Sequence, residues 1–198
     1  MSRRHRDLVS STVFHVTNRG NDRQDIFSLD ADWHCFEQEL VERCEIHRVR
    51  ILIYAWMTNH FHAVVECEDP SVLPELMRDF QSRYARSYNH RTERSGSLFE
   101  KPYYSRPIVG DEDLLWVGRY VHLNPVAVVG ERALPNYRWS SLGNYLQRRA
   151  APDWLDTGRL GALVDPERYL EDLRRRHRWD RLPLGDAAPR TPTTLDEI

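Results

Sequence analysis

Residues 49–66 constrain the chain most. VRILIYAW (49–56) is a run of aliphatic and aromatic residues, HFHAVVE (60–66) alternates its faces, and only Met57, Thr58 and Asn59 separate the two. A link that short joins neighbouring antiparallel strands, so the segment predicts a β-hairpin whose first strand is apolar enough to be central in a sheet. The flanking sequence supplies its partners. Thr12 to Thr17 (TVFHVT) predicts a strand, and NRGND after it has the composition of a turn. From Asp30 to about His47, Trp33, Phe36, Leu40 and Cys44 recur at helical spacing, with Asp30 as the expected N-cap. A second helix is expected over Val72 to Tyr88, with Leu76, Phe80 and Tyr84 on one face and Ser71 or Asp69 as its cap.

After a Gly/Ser break at Ser95 to Ser97, Tyr103 to Val109 predicts a fourth strand, and Asp111 opens a third helix running to about Asn124. Pro125 disfavours helical geometry at the residue before it, so that helix is expected to stop there. The order β-α-β-β-α-β-α specifies an α+β fold: a ferredoxin-like split βαβ core, an antiparallel sheet with helices on one face, plus one further helix. The length of 198 residues suits one domain, here residues 1–148, and a C-terminal extension over 149–198. The extension is expected to be helical in part, with Arg174, Arg175, Arg176 and Arg178 among acids, and its Pro-, Thr- and Ala-rich end is expected to be disordered.

Charge is unevenly placed. A single lysine, Lys101, stands among the 28 basic residues, and arginine's planar fork grips phosphate oxygens in pairs and stacks on bases. A GC-rich coding sequence explains heavy arginine usage equally well, so position is the better guide. Arg78, Arg83, Arg86, Arg91, Arg94, Lys101 and Arg106 face only Asp79, Glu93 and Glu100 in the same stretch, with Tyr84, Tyr88, Phe99, Tyr103 and Tyr104 interleaved. That pattern suits a nucleic-acid surface, although each aromatic could instead be core. Arg19 and Arg119 complete the candidate DNA-binding set. Cys35, Cys44 and Cys67 form no CxxC pair and read as small core residues. No apolar run is long enough to span a membrane, and MSRRHRDLVSST has no signal-peptide core, so a cytoplasmic protein is expected.

His60 and His62 lie two apart on a predicted strand, which puts both imidazoles on one face while Phe61 points into the core. Two adjacent imidazoles can bind a divalent metal, but His-x-His is common by chance. The other histidines, His15 among them, default to surface or core roles. Tyr120 and Asn124, four apart, share a face of the third helix beside its apolar stripe of Leu114, Val117, Gly118 and Val121. A tyrosine there is equally a core-edge residue with its hydroxyl satisfied by a neighbour.

The joint pattern is more specific than its parts. YAWMTNHFHAVVE (54–66) resembles the histidine-hydrophobe-histidine motif of the HUH endonucleases, and GRYVHLNPV (118–126) resembles the helix that carries their single catalytic tyrosine. FHVTNRGNDRQDIF, SYNHRTERSGSLFEKPYYSRPI and PNYRWSS (135–141) agree with one branch, the REP-associated tyrosine transposases, over roughly residues 10–145. The resemblance implies His60 and His62 as metal ligands, Tyr120 as the nucleophile, and Asn124 where related transposases place a glutamine as third ligand. Ala127 stands where the branch commonly has arginine, a contact that Arg119 or Arg132 could supply. Two imidazoles and an amide oxygen suit Mg²⁺ or Mn²⁺. The implied activity is cutting and rejoining of one strand of single-stranded or hairpin DNA through a 5′-phosphotyrosine.

No nucleotide cofactor is expected, since bond energy is kept in the covalent intermediate and no GxxxxGK[ST] loop occurs. Monomer and dimer both stay open, with the long extension leaning toward a monomer. Two other readings remain: a domesticated protein that binds repeat hairpins without cutting, and a replication or conjugation nickase, for whose usual helicase or primase partners this chain has no room.

Overall fold

The computed structural model describes residues 12–100 and 102–179; Lys101 and the Pro-, Thr- and Ala-rich end expected to be disordered lie outside the described residues. The elements are β1 (Val13–Arg19), α1 (Asp30–Ile46), β2 (Val49–Met57), β3 (His60–Cys67), α2 (Leu73–Arg91), β4 (Tyr104–Pro107), α3 (Gly110–Leu123), α4 (Val126–Ala133), α5 (Leu142–Tyr145), α6 (Gly158–Gly161) and α7 (Pro166–Trp179). The four strands form one antiparallel sheet in the order β2-β3-β1-β4. This is the split βαβ arrangement expected from the element order, in an α+β fold.

Side-chain alternation divides the core in two. Val16, Phe61, Ala63 and Val65 meet α1 and α2 on one face, where Phe36 packs edge-on against Phe61 and Phe80 with centroids 5.1 and 4.8 Å apart. Aromatic pairs of this geometry add about 0.5–1.5 kcal/mol each beyond the area they bury. Tyr84 and Tyr88 belong to this layer, at 1% and 5% exposure, and the Tyr84 hydroxyl donates to the Ile26 carbonyl. They are therefore core residues and offer no base-stacking surface, whereas Tyr104 is 37% exposed. On the opposite face α3 lays Leu114, Val117 and Val121 over Leu52, Ile53, Ala55 and Val64. At Gly118 a Cβ would come within 3.1 Å of Leu160 and 3.3 Å of both Ile53 and the Tyr169 hydroxyl, so glycine lets α3 lie close without displacing these side chains.

β2 lies at an edge of the sheet, which corrects the expectation that it is central. Its apolar character is explained by cover. Trp56 N–H donates to the Trp139 carbonyl at 2.8 Å, Ser141 N–H to Tyr54 at 3.0 Å and Asp156 N–H to Ile51 at 2.9 Å, so the chain after α4 seals an edge that would otherwise template aggregation. A register shift between Ile51 and Ile53 turns Leu52 and Ile53 both toward α3, and the Tyr145 hydroxyl bonds the Leu52 carbonyl at 2.7 Å. Leu160, Tyr169 and Leu173, from the segment past residue 149, are buried as well.

One helix start differs from expectation, whereas α3 ends before Pro125 as expected. Asp30 lies inside α1 and pairs with Arg138; the capping carboxylate is that of Asp32, which accepts from the Ser28 and Leu29 amides at 2.7 and 2.8 Å. Asp69 accepts from the Ser71 amide in the turn leading to α2. At the end of α3, Asn124 keeps helical dihedrals (φ −49°, ψ −46°) although Pro125 follows, and the chain continues into α4. Proline cannot donate to the Val121 carbonyl. The Asn124 N–H serves it instead, shared between Tyr120 at 3.2 Å and Val121 at 3.3 Å. No helix among the described residues is long and apolar enough to cross a membrane.

Candidate active site

The face of the sheet that carries α3 assembles the site. β3 turns His60 and His62 toward that helix, and Thr17 of β1 sits opposite His62 in the register. The tyrosine ring of Tyr120 approaches His62 edge-on, centroids 5.4 Å apart at 82°, and His15 at 5.9 Å and 79°. Trp116, one turn earlier on α3, lies parallel to Tyr120 at 5.8 Å, and the Arg106 guanidinium sits 5.9 Å from the Trp116 ring. Thus the helix and the sheet bring His60, His62, Tyr120 and Asn124 together.

Hydrogen bonds fix how these groups point. The Asn124 amide nitrogen donates to the Tyr120 carbonyl at 3.0 Å, which directs Oδ1 toward His60 Nε2, 3.4 Å away. Asn59 donates from Nδ2 to the Arg23 carbonyl, so its Oδ1, 2.7 Å from His60 Nδ1, accepts the imidazole proton. His60 Nε2 therefore carries a lone pair that faces the lone pairs of an amide oxygen. Gly20 shapes the turn that holds Asn59: its N–H donates to the Asn59 carbonyl at 2.7 Å, and a Cβ there would lie 2.0 Å from the Gln24 carbonyl oxygen.

His62 is 0% exposed. Its Nδ1 is 2.9 Å from His15 Nε2, and its Nε2 is buried with no hydrogen-bond partner. Burial holds all three imidazoles neutral. It pushes His62 well below its ordinary range, with the neighbouring His15 adding to the effect, and lowers His60 against a smaller opposing effect of Asn124. His15 is brought down to about 3 by burial and then by Arg106.

Neutral imidazoles and an amide oxygen converge in a buried place, with a lone pair of His60 Nε2 facing Asn124 Oδ1 and His62 Nε2 lacking a hydrogen-bond partner, a donor set that fits a hard divalent cation with water completing its shell. Among the described residues no three His, Cys, Asp or Glu side chains form a metal cage. The Asn124 oxygen, 3.4 Å from His60 Nε2, is the further donor atom that faces this place.

The candidate DNA-binding residues do not form one surface. Arg19 lies opposite His60 in the register and pairs with Glu100 at 2.7 Å; Arg106 grips Asp113 with both terminal nitrogens at 3.0 and 2.7 Å; Arg119 pairs with Asp172 at 2.9 Å. Arg78, Arg83, Arg86 and Arg91 belong to α2, on the far side of the sheet from the histidines. Of these, Arg83 pairs with Asp79 and Arg91 with the buried Asp32, Arg78 lies 3.9 Å from Glu75, and Arg86 is exposed. Arg94 bonds Gln24 and Asn89.

Sequence reasoning missed His15 and Trp116. Trp116 precedes Tyr120 by four residues, a helical spacing that could have flagged it, whereas His15 meets His62 only through the pairing of β1 with β3.

The model of the IS200-like transposase family matches residues 8–124, more than half of the chain. Among solved structures, a REP-associated tyrosine transposase bound to a REP hairpin superposes with a TM-score of 0.55 at 16% identity, covering 74% of this chain and 87% of that one. A protein of Deinococcus radiodurans R1, provisionally described as a transposase, gives a TM-score of 0.43 at 13% identity, with 56% and 88% covered. No curated protein matches the chain. The ordered motifs, the sheet that carries them and the family match agree: the chain belongs to the IS200-like transposase family.

Proposed function

We propose that this transposase cuts and rejoins one strand of DNA through a covalent bond between Tyr120 and a 5′ phosphate, using Mg²⁺ or Mn²⁺ held by His60, His62 and Asn124. The observation that carries the reading is the edge-on approach of Tyr120 to His62, at 5.4 Å, beside a buried Nε2 that has no partner.

In the proposed reaction the Tyr120 oxygen attacks phosphorus and loses its proton, the bond from phosphorus to the 3′ oxygen breaks, and a free 3′ hydroxyl leaves. Attack by another 3′ hydroxyl on the phosphotyrosine reverses the chemistry and joins the strands, so no nucleotide cofactor is needed. A cation held by His60, His62 and Asn124 would supply Lewis acidity against the negative charge of the phosphate and of the departing oxygen. Trp116 and the helix α3 hold the phenol in place, and Asn124 orients its oxygen through its bond to the Tyr120 carbonyl. Residues 1–148 form the catalytic domain in this reading, and the extension beyond them buttresses α3. In this reading Tyr120 serves the histidines of its own chain, with its ring 5.4 Å from that of His62.

The substrate class is single-stranded or hairpin DNA, in keeping with the REP hairpin bound by the structural neighbour. Arg19 and Arg106 border the histidine face, and the exposed Arg78 and Arg86 of α2 are assigned to flanking DNA, whereas Arg91 and Arg119 are taken up by Asp32 and Asp172. The test is incubation with end-labelled hairpin DNA and Mn²⁺, read on a denaturing gel. A slow-migrating adduct is expected for the wild type and none for Tyr120→Phe. His60→Ala or chelation is expected to abolish the adduct while DNA binding persists. An adduct of undiminished yield from Tyr120→Phe would rule out this nucleophile.

A further inference from the structure

His15 comes from a strand with no part in the metal-ligand motif, yet it is 6% exposed and its Nε2 sits 2.9 Å from Nδ1 of His62. A contact this short between two ring nitrogens contains one proton. Two arrangements are available. If His15 donates, the remaining proton of neutral His62 is on Nε2, which leaves a buried N–H without an acceptor and removes the lone pair a cation needs. If His62 donates, its Nε2 is bare.

Buried N–H groups are seldom left without a partner, whereas a bare nitrogen can be satisfied by a cation. The position of His60 argues the same way: its own Nδ1 proton is taken by Asn59, leaving Nε2 bare. The two histidines of the motif are thus each served at Nδ1 by a neighbour of a different kind, an amide oxygen for His60 and a third imidazole for His62.

We propose that His15 is a positioning residue that accepts the Nδ1 proton of His62 and so holds His62 in the tautomer whose Nε2 is free to bind a divalent cation. The inference rests on the reading of His60, His62 and Asn124 as a metal site, and adds to it the element that orients its buried member. It acts through His62 and touches neither DNA nor metal. Groups of this kind, bonded to the far nitrogen of a ligating histidine, typically change metal affinity 10–100-fold when removed.

Two measurements on the metal-free full chain test it. Long-range ¹H–¹⁵N NMR with labelled histidine reads which ring nitrogen of His62 carries the proton: Nδ1 is expected, and Nε2 overturns the proposal whatever the metal does. Titration with Mn²⁺ alone, followed by the electron paramagnetic resonance signal of the free ion, compares variants without any DNA. His15→Leu is expected to bind about 10–100-fold more weakly than wild type. His15→Gln, which places an amide oxygen near the position of Nε2, is expected to restore most of the affinity.

Equal affinities for wild type and His15→Leu, with binding abolished by His60→Ala, overturn the role of His15 and leave the metal site standing. Unchanged binding in His60→Ala places the ion elsewhere and overturns the metal reading itself; the NMR result then decides the His15 proposal alone. If His15→Leu does not fold, the NMR spectrum of the wild type and the affinity of His15→Gln carry the test: His15→Gln bound more than about 10-fold more weakly than wild type counts against acceptance at Nδ1.

Discussion

His122 Nδ1 lies 2.9 Å from the Tyr169 hydroxyl, which ties α3 to α7 through a bond buried on both sides. The other nitrogen of the same ring is 2.8 Å from Ser141 Oγ, itself bonded to the backbone of Tyr54 in β2. One imidazole thus joins the helix of Tyr120, the last helix and the edge strand. Tyr169→Phe keeps the ring and removes the hydroxyl, leaving a buried nitrogen of His122 without its partner. The expected cost is about 1–3 kcal/mol, read as a fall of several degrees in Tm. A Tm within about a degree of wild type would show that this link contributes nothing.

The buried histidines also set an acid limit. Burial pushes His122 down to about 3, and His15 falls to about 3 through burial and Arg106, while both titrate near 6.5 in the unfolded chain. Between those values the unfolded chain binds protons that the folded one refuses. These groups leave stability unchanged above pH 6.5, and stability falls as the pH drops from 6.5 toward 3. Each contributes a slope of about 1.4 kcal/mol per pH unit. Melting followed by circular dichroism at a series of pH values should show this decline, and His122→Gln should decline less steeply. A variant as steep as wild type would assign the effect to other groups.

How much of this was legible beforehand follows from what each kind of residue reveals locally. The element order was readable because Phe36, Leu40, Leu76 and Phe80 recur at helical spacing and the hairpin is joined by only three residues. The grouping of His60 with His62, and of Tyr120 with Asn124, was likewise local: strand period in one case, helix turn in the other. Position in the sheet was not. β2 reads as central because its edge is covered by Trp139, Ser141 and Asp156, some 80–110 residues downstream, and periodicity cannot report a partner that far away. The same limit hid His15, whose meaning depends on strand pairing, and mixed Tyr84 and Tyr88 with the exposed Tyr104.

Gly118 sets the distance between α3 and its bed. Alanine there gains about 1 kcal/mol in helix propensity, but its Cβ meets Leu160 at 3.1 Å and Ile53 and the Tyr169 hydroxyl at 3.3 Å. Leu160 and Ile53 meet the new methyl with their side-chain ends and can shift, whereas the Tyr169 hydroxyl is held by His122. Overpacking of this kind costs about 1–3 kcal/mol, so Gly118→Ala is expected to be net destabilising by about 1 kcal/mol in urea titrations. It should also lower adduct yield, because a displaced α3 carries Tyr120 away from His62. A stabilised variant with full yield would mean that α3 has room to spare.

The basic residues divide by partner, and the division predicts two separable phenotypes. Arg91 bonds Asp32 at 2.6 Å, and the carboxylate of Asp32 is nearly inaccessible while it caps α1. Arg91→Ala leaves that carboxylate buried and unpaired, and is expected to cost about 1–3 kcal/mol of stability. Arg86 is exposed on α2, so Arg86→Ala should leave Tm nearly unchanged. If that face of α2 contacts phosphate, Arg86→Ala also weakens hairpin binding uniformly across sequences and lowers the slope of log affinity against log salt by about 1. Fluorescence anisotropy over a salt series, paired with thermal melts, measures both. An unchanged salt slope for Arg86→Ala removes the far side of α2 from the DNA path and confines binding to the face that holds Arg19, Arg106 and the histidines.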